Sequence, residues 1–273
     1  HYVCLPPRIK HRKIPPSLPR TRFSPFAYSR NCHFVQRILF VGILLHDGKP
    51  QKVSQHRGSL YSLERLHGFH GLGVDMPGER RGMIPNSEYY DKHYHKRWNG
   101  VTIISDAIGQ GEVNATPLQI ANLAATIANR GYFVTPHIVS HIEGSRIDSL
   151  YRTRRYTMVE HRYYDYVVAG MRKAVLDGTC TSANLPGIEV CGKTGTAQNR
   201  GQDHSAFIGF APMNNPKIAI AVYVENGGFG AHFGVPIGAV MIEQYLNGKL
   251  SPRGQAMAEE FRNKHLFYGN SER

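Results

Sequence analysis

Lys193-Thr194-Gly195-Thr196 is the stretch of this chain whose side chains could most directly do chemistry. An ammonium beside two hydroxyls suits recognition of an anionic group on a peptide. The glycine between them lets a second backbone come close enough to pair as an added strand. The same residues also close a second pattern. Gly187 to Thr194 reads Gly-Ile-Glu-Val-Cys-Gly-Lys-Thr, the spacing of a phosphate-cradling loop. Such a loop needs a strand before its first glycine and a helix opening at Lys-Thr, so that backbone N–H groups converge on phosphate. Here the order is inverted. Leu185-Pro186-Gly187 is a turn, Ile188 to Cys191 is strand-like, and Gly195 falls where the helix would begin. The pattern predicts a strand at Lys193, and a phosphate-binding ATPase is the weakest functional reading.

Other reactive types are scattered. His93 with His95, or His67 with His70, could be paired ligands, but no carboxylate or cysteine cluster completes a site, so neither a metal nor a cofactor is expected. Asp75 and Glu79 could pose as acid and base; flanking Pro77-Gly78, they are expected to shape a loop. Tyr163, Tyr164 and Tyr166 could form a stacking platform, yet their spacing suits packing along a helix. The four cysteines, Cys4, Cys32, Cys180 and Cys191, form no CxxC, which excludes a zinc knuckle and a thioredoxin-type motif. Nothing in their spacing demands that Cys180 and Cys191 pair.

The elements that must position these residues are readable after about residue 60. Thr116-Pro117-Leu118-Gln119 predicts a helix start with a capping box, followed by Ile120, Leu123, Ala124, Ile127 and Ala128 on one face and Gly131 as the stop. A second helix is expected over 160–177, with Tyr163, Val167, Met171, Ala174 and Val175 inward. Three strand-like runs follow, 188–198, 205–211 and 218–225, the last two joined by a turn at Met213-Asn214-Asn215-Pro216. A glycine-rich loop, 227–234, leads to a final helix over 236–246. Helix, three-stranded meander and helix predict an α+β fold, an antiparallel sheet flanked by helices.

Charge divides the 273 residues. The chain carries a net +13, of which residues 1–60 account for +10 with 7 of the 16 prolines. A basic excess confined to one irregular end argues against the alternative reading, a basic nucleic-acid-binding protein. Prolines 6, 7, 15, 16 and 19 would also break any recognition helix. The expected organisation is an irregular basic segment over 1–60, frameshifted or non-native in origin; a folded unit over 61–250; and a polar tail over 251–273. The longest apolar stretch, Ile38 to Leu45, spans eight residues, against the roughly 20 that a membrane-crossing helix needs. No signal peptide is visible in the basic, proline-rich start.

Several motifs in order resemble the transpeptidase domain of class B penicillin-binding proteins, those of the cell-elongation machinery in particular. They are Asp75-Met76-Pro77-Gly78-Glu79, Gly82-Met83-Ile84-Pro85, Ala107-Ile108-Gly109-Gln110-Gly111, and Thr116 to Gln119. Gly192 to Gln198, Phe207 to Pro212, and Val224-Glu225-Asn226 complete the series. The resemblance runs from about Gly68 to Leu250. It implies the penicillin-binding transpeptidase fold, in incomplete form, and D,D-transpeptidation of peptidoglycan. A serine would attack a D-alanyl-D-alanine stem and pass the acyl group to a neighbouring strand. β-Lactams would acylate the same serine. Carried over, Lys193, Thr194, Gly195 and Thr196 would bind the substrate carboxylate and line the cleft. The implied partners are the peptidoglycan stem peptide, β-lactam antibiotics and membrane proteins of the elongation machinery, with no nucleic acid. The implied location is the periplasmic face of the bacterial cytoplasmic membrane.

Two departures stand out. No lysine has a serine three positions before it, so the Ser-x-x-K nucleophile motif is absent and the catalytic residue is unknown. The chain is expected to begin after that motif and to be inactive alone. For the family's Ser-x-Asn element, Ser182-Ala183-Asn184 lies too close to Lys193 and fits a simple turn. Ser29-Arg30-Asn31 has a suitable spacing in scrambled surroundings.

Overall fold

The computed structural model describes residues 71–83, 85–99, 112–199, 201–264 and 266. The basic segment over 1–60, Ser29 and Asn31, the His67–His70 pair and the Ala107-to-Gly111 motif lie outside them.

Local sequence sets the first elements. Asn86 caps a short helix, α1 (Ser87–His93), by accepting from the Tyr89 amide at 2.8 Å. Thr116 opens α2 (Pro117–Ala128) with the expected capping box: its hydroxyl accepts from the Gln119 amide while Gln119 Oε1 accepts from the Thr116 amide. Arg130 (φ 57°) and Gly131 (φ 112°) turn the chain into β1 (Tyr132–Val134), which pairs antiparallel with β2 (Arg154–Tyr156). A side chain at Gly131 would sit 2.9 Å from the Tyr164 ring, so the position needs glycine for space as well as for φ.

The next helix, α3 (His161–Leu176), buries Tyr164, Val168, Met171 and Val175. Of the expected inward face, Met171 and Val175 are buried as read, while Tyr164 and Val168 take the fully buried places expected of Tyr163, Val167 and Ala174. Those three flank the buried stripe and are half-buried. Two adjacent tyrosines and two adjacent valines fit either phase. The buried tyrosine is the one whose hydroxyl finds a partner, Thr157 Oγ1 at 2.6 Å.

The meander is β3 (Cys191–Ala197), β4 (His204–Ala211) and β5 (Ile218–Val224), all antiparallel in the order β3-β4-β5. β4 is buried along its whole length, because both faces of the sheet are covered. Ile208 and Phe210 pack with Cys191 against α2 and α3. Phe207 and Ala211 pack with Val235, Ala239 and Ile242 of the next helix, α4 (Gly234–Asn247). The fold is α+β, as the element pattern predicts. The stretch read as a polar tail differs: it contains α5 (Pro252–Asn263), capped by Ser251 Oγ accepting from the Gly254 amide at 3.1 Å.

Candidate active site

Lys193 to Thr196 occupy β3, in register with Ile208 to Ser205 of β4. β3 is an edge strand among the described residues. No helix opens at Thr194, so the phosphate-loop reading fails on backbone geometry.

Three side chains meet at this edge. Lys193 is half-buried, and its Nζ donates to the Thr194 carbonyl at 3.1 Å and lies 3.4 Å from Thr194 Oγ1. Thr194 Oγ1 lies 2.7 Å from the hydroxyl of Thr179, just past the end of α3. An ammonium and two hydroxyls in one cluster form a compact anion-recognising group, and a carboxylate oxygen can accept from each of them. The sequence reading missed Thr179. Its only signal is its place after the helix stop Gly178, where the chain returns to the sheet.

Thr196 is engaged differently. Its hydroxyl accepts from the Gly230 amide at 3.3 Å. A Cβ at Gly230 would sit 2.5 Å from the Gly195 carbonyl oxygen and 2.6 Å from that of Ala206, so only glycine can come this close. Ser205, buried on β4, holds the same loop by donating to the Phe229 carbonyl and accepting from the Gly234 amide, both at 2.9 Å. The glycine-rich loop is therefore pinned across the Gly195–Ala206 backbone.

Two thiols lie nearby. Cys180 and Cys191 are both free and fully buried. Burial pushes each thiol up to about 11. For Cys180 the Lys193 charge pulls weakly the other way. Both stay protonated at neutral pH and are poor nucleophiles.

The remaining candidates have structural partners. Asp75 accepts from the amides of Ile138 and Val139, at 2.9 and 2.8 Å. Glu79 accepts from the amides of Leu72, Gly73 and Val74. Both carboxylates shape the loop, as their position beside Pro77-Gly78 suggests. His93 stacks on Tyr89 at 3.9 Å between centroids. Ser182 lies in a 3₁₀ turn, Thr181–Ala183, closed by the Asn184 amide donating to the Thr181 carbonyl. Tyr166 is 78% exposed while Tyr164 is in the core, so the tyrosines form no common platform.

The family described as "Penicillin binding protein transpeptidase domain" matches residues 26–243. The chain belongs to this family. The match starts well before Gly68 and takes in Ser29-Arg30-Asn31. The chain is 36% identical over 178 residues to the peptidoglycan D,D-transpeptidase MrdA of Acinetobacter baumannii, covering 58% of this chain and 26% of that protein. It is similar in structure to penicillin-binding protein PBP2 of Pseudomonas aeruginosa, in complex with WCK 5153. There the TM-score is 0.60 at 32% identity, over 74% of this chain and 44% of that one. It is also similar to PBP2 of Helicobacter pylori in its complex with MreC, with TM-score 0.60 and 26% identity, over 78% and 38%. The chain thus spans about a quarter of the length of the MrdA relative. These likenesses lend no support to the nucleic-acid-binding alternative.

Proposed function

We propose that this chain is part of a peptidoglycan D,D-transpeptidase and supplies one wall of its cleft. In that reading Lys193 and Thr194 hold the terminal carboxylate of a D-alanyl-D-alanine stem. Gly195 lets the stem backbone lie along β3, and Thr196 lines the cleft beside the pinned loop. A serine attacks the penultimate carbonyl, the peptide bond breaks, and D-alanine leaves with the proton returned to its amine. The amine of a neighbouring stem then takes the acyl group and frees the serine. β-Lactams mimic the stem and acylate the same serine. The observation that carries the reading is the cluster of Lys193 Nζ, Thr194 Oγ1 and Thr179 Oγ1 on an edge strand.

This sequence has no serine three positions before a lysine, so it holds no Ser-x-x-K to which the nucleophile can be assigned. Ser29 and Asn31 are proposed as the family's Ser-x-Asn element, supported by their inclusion in the family match. The setting proposed is the periplasmic face of the cytoplasmic membrane, among elongation-machinery membrane proteins. The complex of the Helicobacter pylori relative with MreC supports a protein assembly. No helix among the described residues is long and apolar enough to cross a membrane.

The test is labelling with a fluorescent penicillin, read on a denaturing gel that retains only covalent adducts. The 273-residue chain is expected to stay dark, and a version carrying an upstream Ser-x-x-K to label. A charge-assisted hydrogen bond to a carboxylate is worth about 1.5–3 kcal/mol, so Lys193→Ala should slow labelling of that version roughly 10- to 100-fold. Unchanged labelling would remove Lys193 from the site. Stoichiometric labelling of the 273-residue chain would place the nucleophile within it, with Ser29 the first serine to replace.

A further inference from the structure

β2 is an edge strand among the described residues, and Arg154, Arg155 and Tyr156 are all exposed. The register fixes which way its backbone points. Tyr132 faces Tyr156, Phe133 faces Arg155 and Val134 faces Arg154. One step beyond, the Thr157 amide donates to the Gly131 carbonyl at 2.8 Å. Antiparallel pairs alternate between bonded and non-bonded, so Arg155 bonds to Phe133, while the N–H and C=O groups of Arg154 and Tyr156 point away from β1. Among the described residues no backbone group pairs with those outward groups.

The side chains along this edge are of two kinds. From Tyr151 to Val159 there are three cations, Arg152, Arg154 and Arg155, and no acid. Among the described residues none of the three joins an ion pair. Tyr156 and Met158 are 70% and 75% exposed. Arg154 lies over the Tyr132 ring, 4.6 Å from its centroid, and that ring meets the ring of Tyr156 at 5.7 Å. Charge and short length are ordinary ways of blunting an edge against copies of itself. Blunting does not account for the exposed tyrosine and methionine, which with arginine are enriched where proteins bind one another.

We infer that β2 is a docking edge for an acidic, extended segment of a partner protein, which adds to the hairpin as a third strand. The outward groups of Arg154 and Tyr156 supply the backbone hydrogen bonds of the added strand. Arg152, Arg154 and Arg155 select carboxylate side chains, and Tyr156 and Met158 cover their apolar stems. The same charges turn away a second copy, because two β2 strands laid edge to edge would set arginines against arginines. A lipid surface would take the charge and leave the directional backbone groups unused. The proposal uses neither Lys193 nor any serine, so it stands or falls apart from the transpeptidase reading.

Residue-resolved amide exchange by NMR on the 273-residue chain tests it. The probe is an acetylated peptide of about ten residues, alternating glutamate and threonine, long enough to span the edge. One control is its lysine–threonine counterpart. The other is fully N-methylated, which keeps the charge and cannot pair as a strand. At saturating glutamate–threonine peptide the Arg154 and Tyr156 amides should exchange at least about tenfold more slowly, and neither control should slow them. Attraction of the peptide to the basic residues 1–60 would not protect these two amides. Arg154→Glu with Arg155→Glu, at exposed positions, should keep the native circular dichroism. It should weaken binding read at residue 154 by at least about tenfold, since an exposed ion pair is worth up to about fivefold and each reversal turns attraction into repulsion. Tyr156→Pro removes an outward N–H without touching the β1 ladder, so it should bind about 2- to 10-fold more weakly than Tyr156→Val. No protection at Arg154 and Tyr156 by the acidic peptide would overturn the inference. So would protection by either control, indifference to the charge reversal, or equal binding by the proline and valine variants. Protection of these amides by phosphatidylglycerol vesicles in place of the peptide would make the edge a lipid surface and overturn it as well.

Discussion

The hydroxyl of Thr179 stands 2.7 Å from that of Thr194, linking the end of α3 to the edge strand that carries Lys193. A lone threonine hydroxyl rotates freely between its staggered positions. Held by Thr179, the Thr194 oxygen is fixed relative to the ammonium 3.4 Å away. Thr179 is exposed, so losing its hydroxyl should cost the fold little. One side-chain hydrogen bond is worth about 0.5–1.5 kcal/mol. Thr179→Ala should therefore slow penicillin acylation about 2- to 10-fold, in a version carrying the Ser-x-x-K motif, with an unchanged melting temperature. Thr179→Ser should restore the rate. A fall in melting temperature that tracks the rate loss would make Thr179 merely structural.

Phe207 fills a notch that three glycines leave open. A Cβ would approach its ring to 2.5 Å at Gly192, 2.7 Å at Gly209 and 2.5 Å at Gly238. In α4 a Gly238→Ala change gains roughly 1 kcal/mol of helix propensity, but overpacking a filled core costs about 1–3 kcal/mol. The clash should win, and Gly238→Ala should lower stability in urea melts. Gly170→Ala in α3, where nothing lies within 4 Å of the added methyl, should instead raise it by up to about 1 kcal/mol. Phe207→Ala should cost about 3–5 kcal/mol through the cavity it leaves.

What was legible in the sequence was what local chemistry decides. Thr116, Pro117 and Gln119 specify a helix start among themselves, and the capping box forms as read. Leu185-Pro186-Gly187 and Gly195 exclude a helix at Lys193, and the strand is there. What was not legible depends on residues distant in sequence. The phase of α3 turns on whether Tyr163 or Tyr164 finds Thr157. Thr179 reaches Thr194 only because α3 returns the chain to β3. The β1–β2 hairpin has three residues per strand, too few to show alternation. α5 carried a legible start in Ser251-Pro252, but Gly254 is its only fully buried residue, so no apolar period marked the rest.

Asp75 reaches the backbone at Ile138 and Val139, 63 and 64 residues further along. The Val139 amide is the largest of the influences that hold its carboxyl below the usual aspartate value of 3.8. A depressed carboxyl stabilises the fold above the unfolded value. That contribution is lost as pH falls from about 3.8 through the folded value. Asp75→Ala should speed amide exchange at Ile138 and Val139 at neutral pH while leaving the α2 core protected. Equal exchange in both proteins would show that the carboxylate pins nothing.

His204 connects acidity to the loop that covers β3. Its Nδ1 accepts from the Asn226 amide at 2.9 Å, which fixes the proton of the neutral ring on Nε2. Burial lowers its proton affinity below the usual histidine value of 6.5, against the opposing pull of Glu225 and Asp203. Protonation would place a second donor against the Asn226 amide and break that contact, just before the loop whose Gly230 lies on Gly195. The sign follows from the depressed value. The unfolded chain binds the proton first, so His204 contributes its full stability above about pH 6.5. The contribution is lost as pH falls from there through the folded value. His204→Gln keeps a polar group and removes the titration. The difference in melting temperature between the parent and His204→Gln should be largest at pH 8 and shrink steadily toward pH 5, cancelling the other fourteen histidines, which both proteins share. A difference that stays constant or grows on acidification would mean that His204 is not held neutral by its burial. The Asn226 contact would then not be the point at which acid loosens the loop.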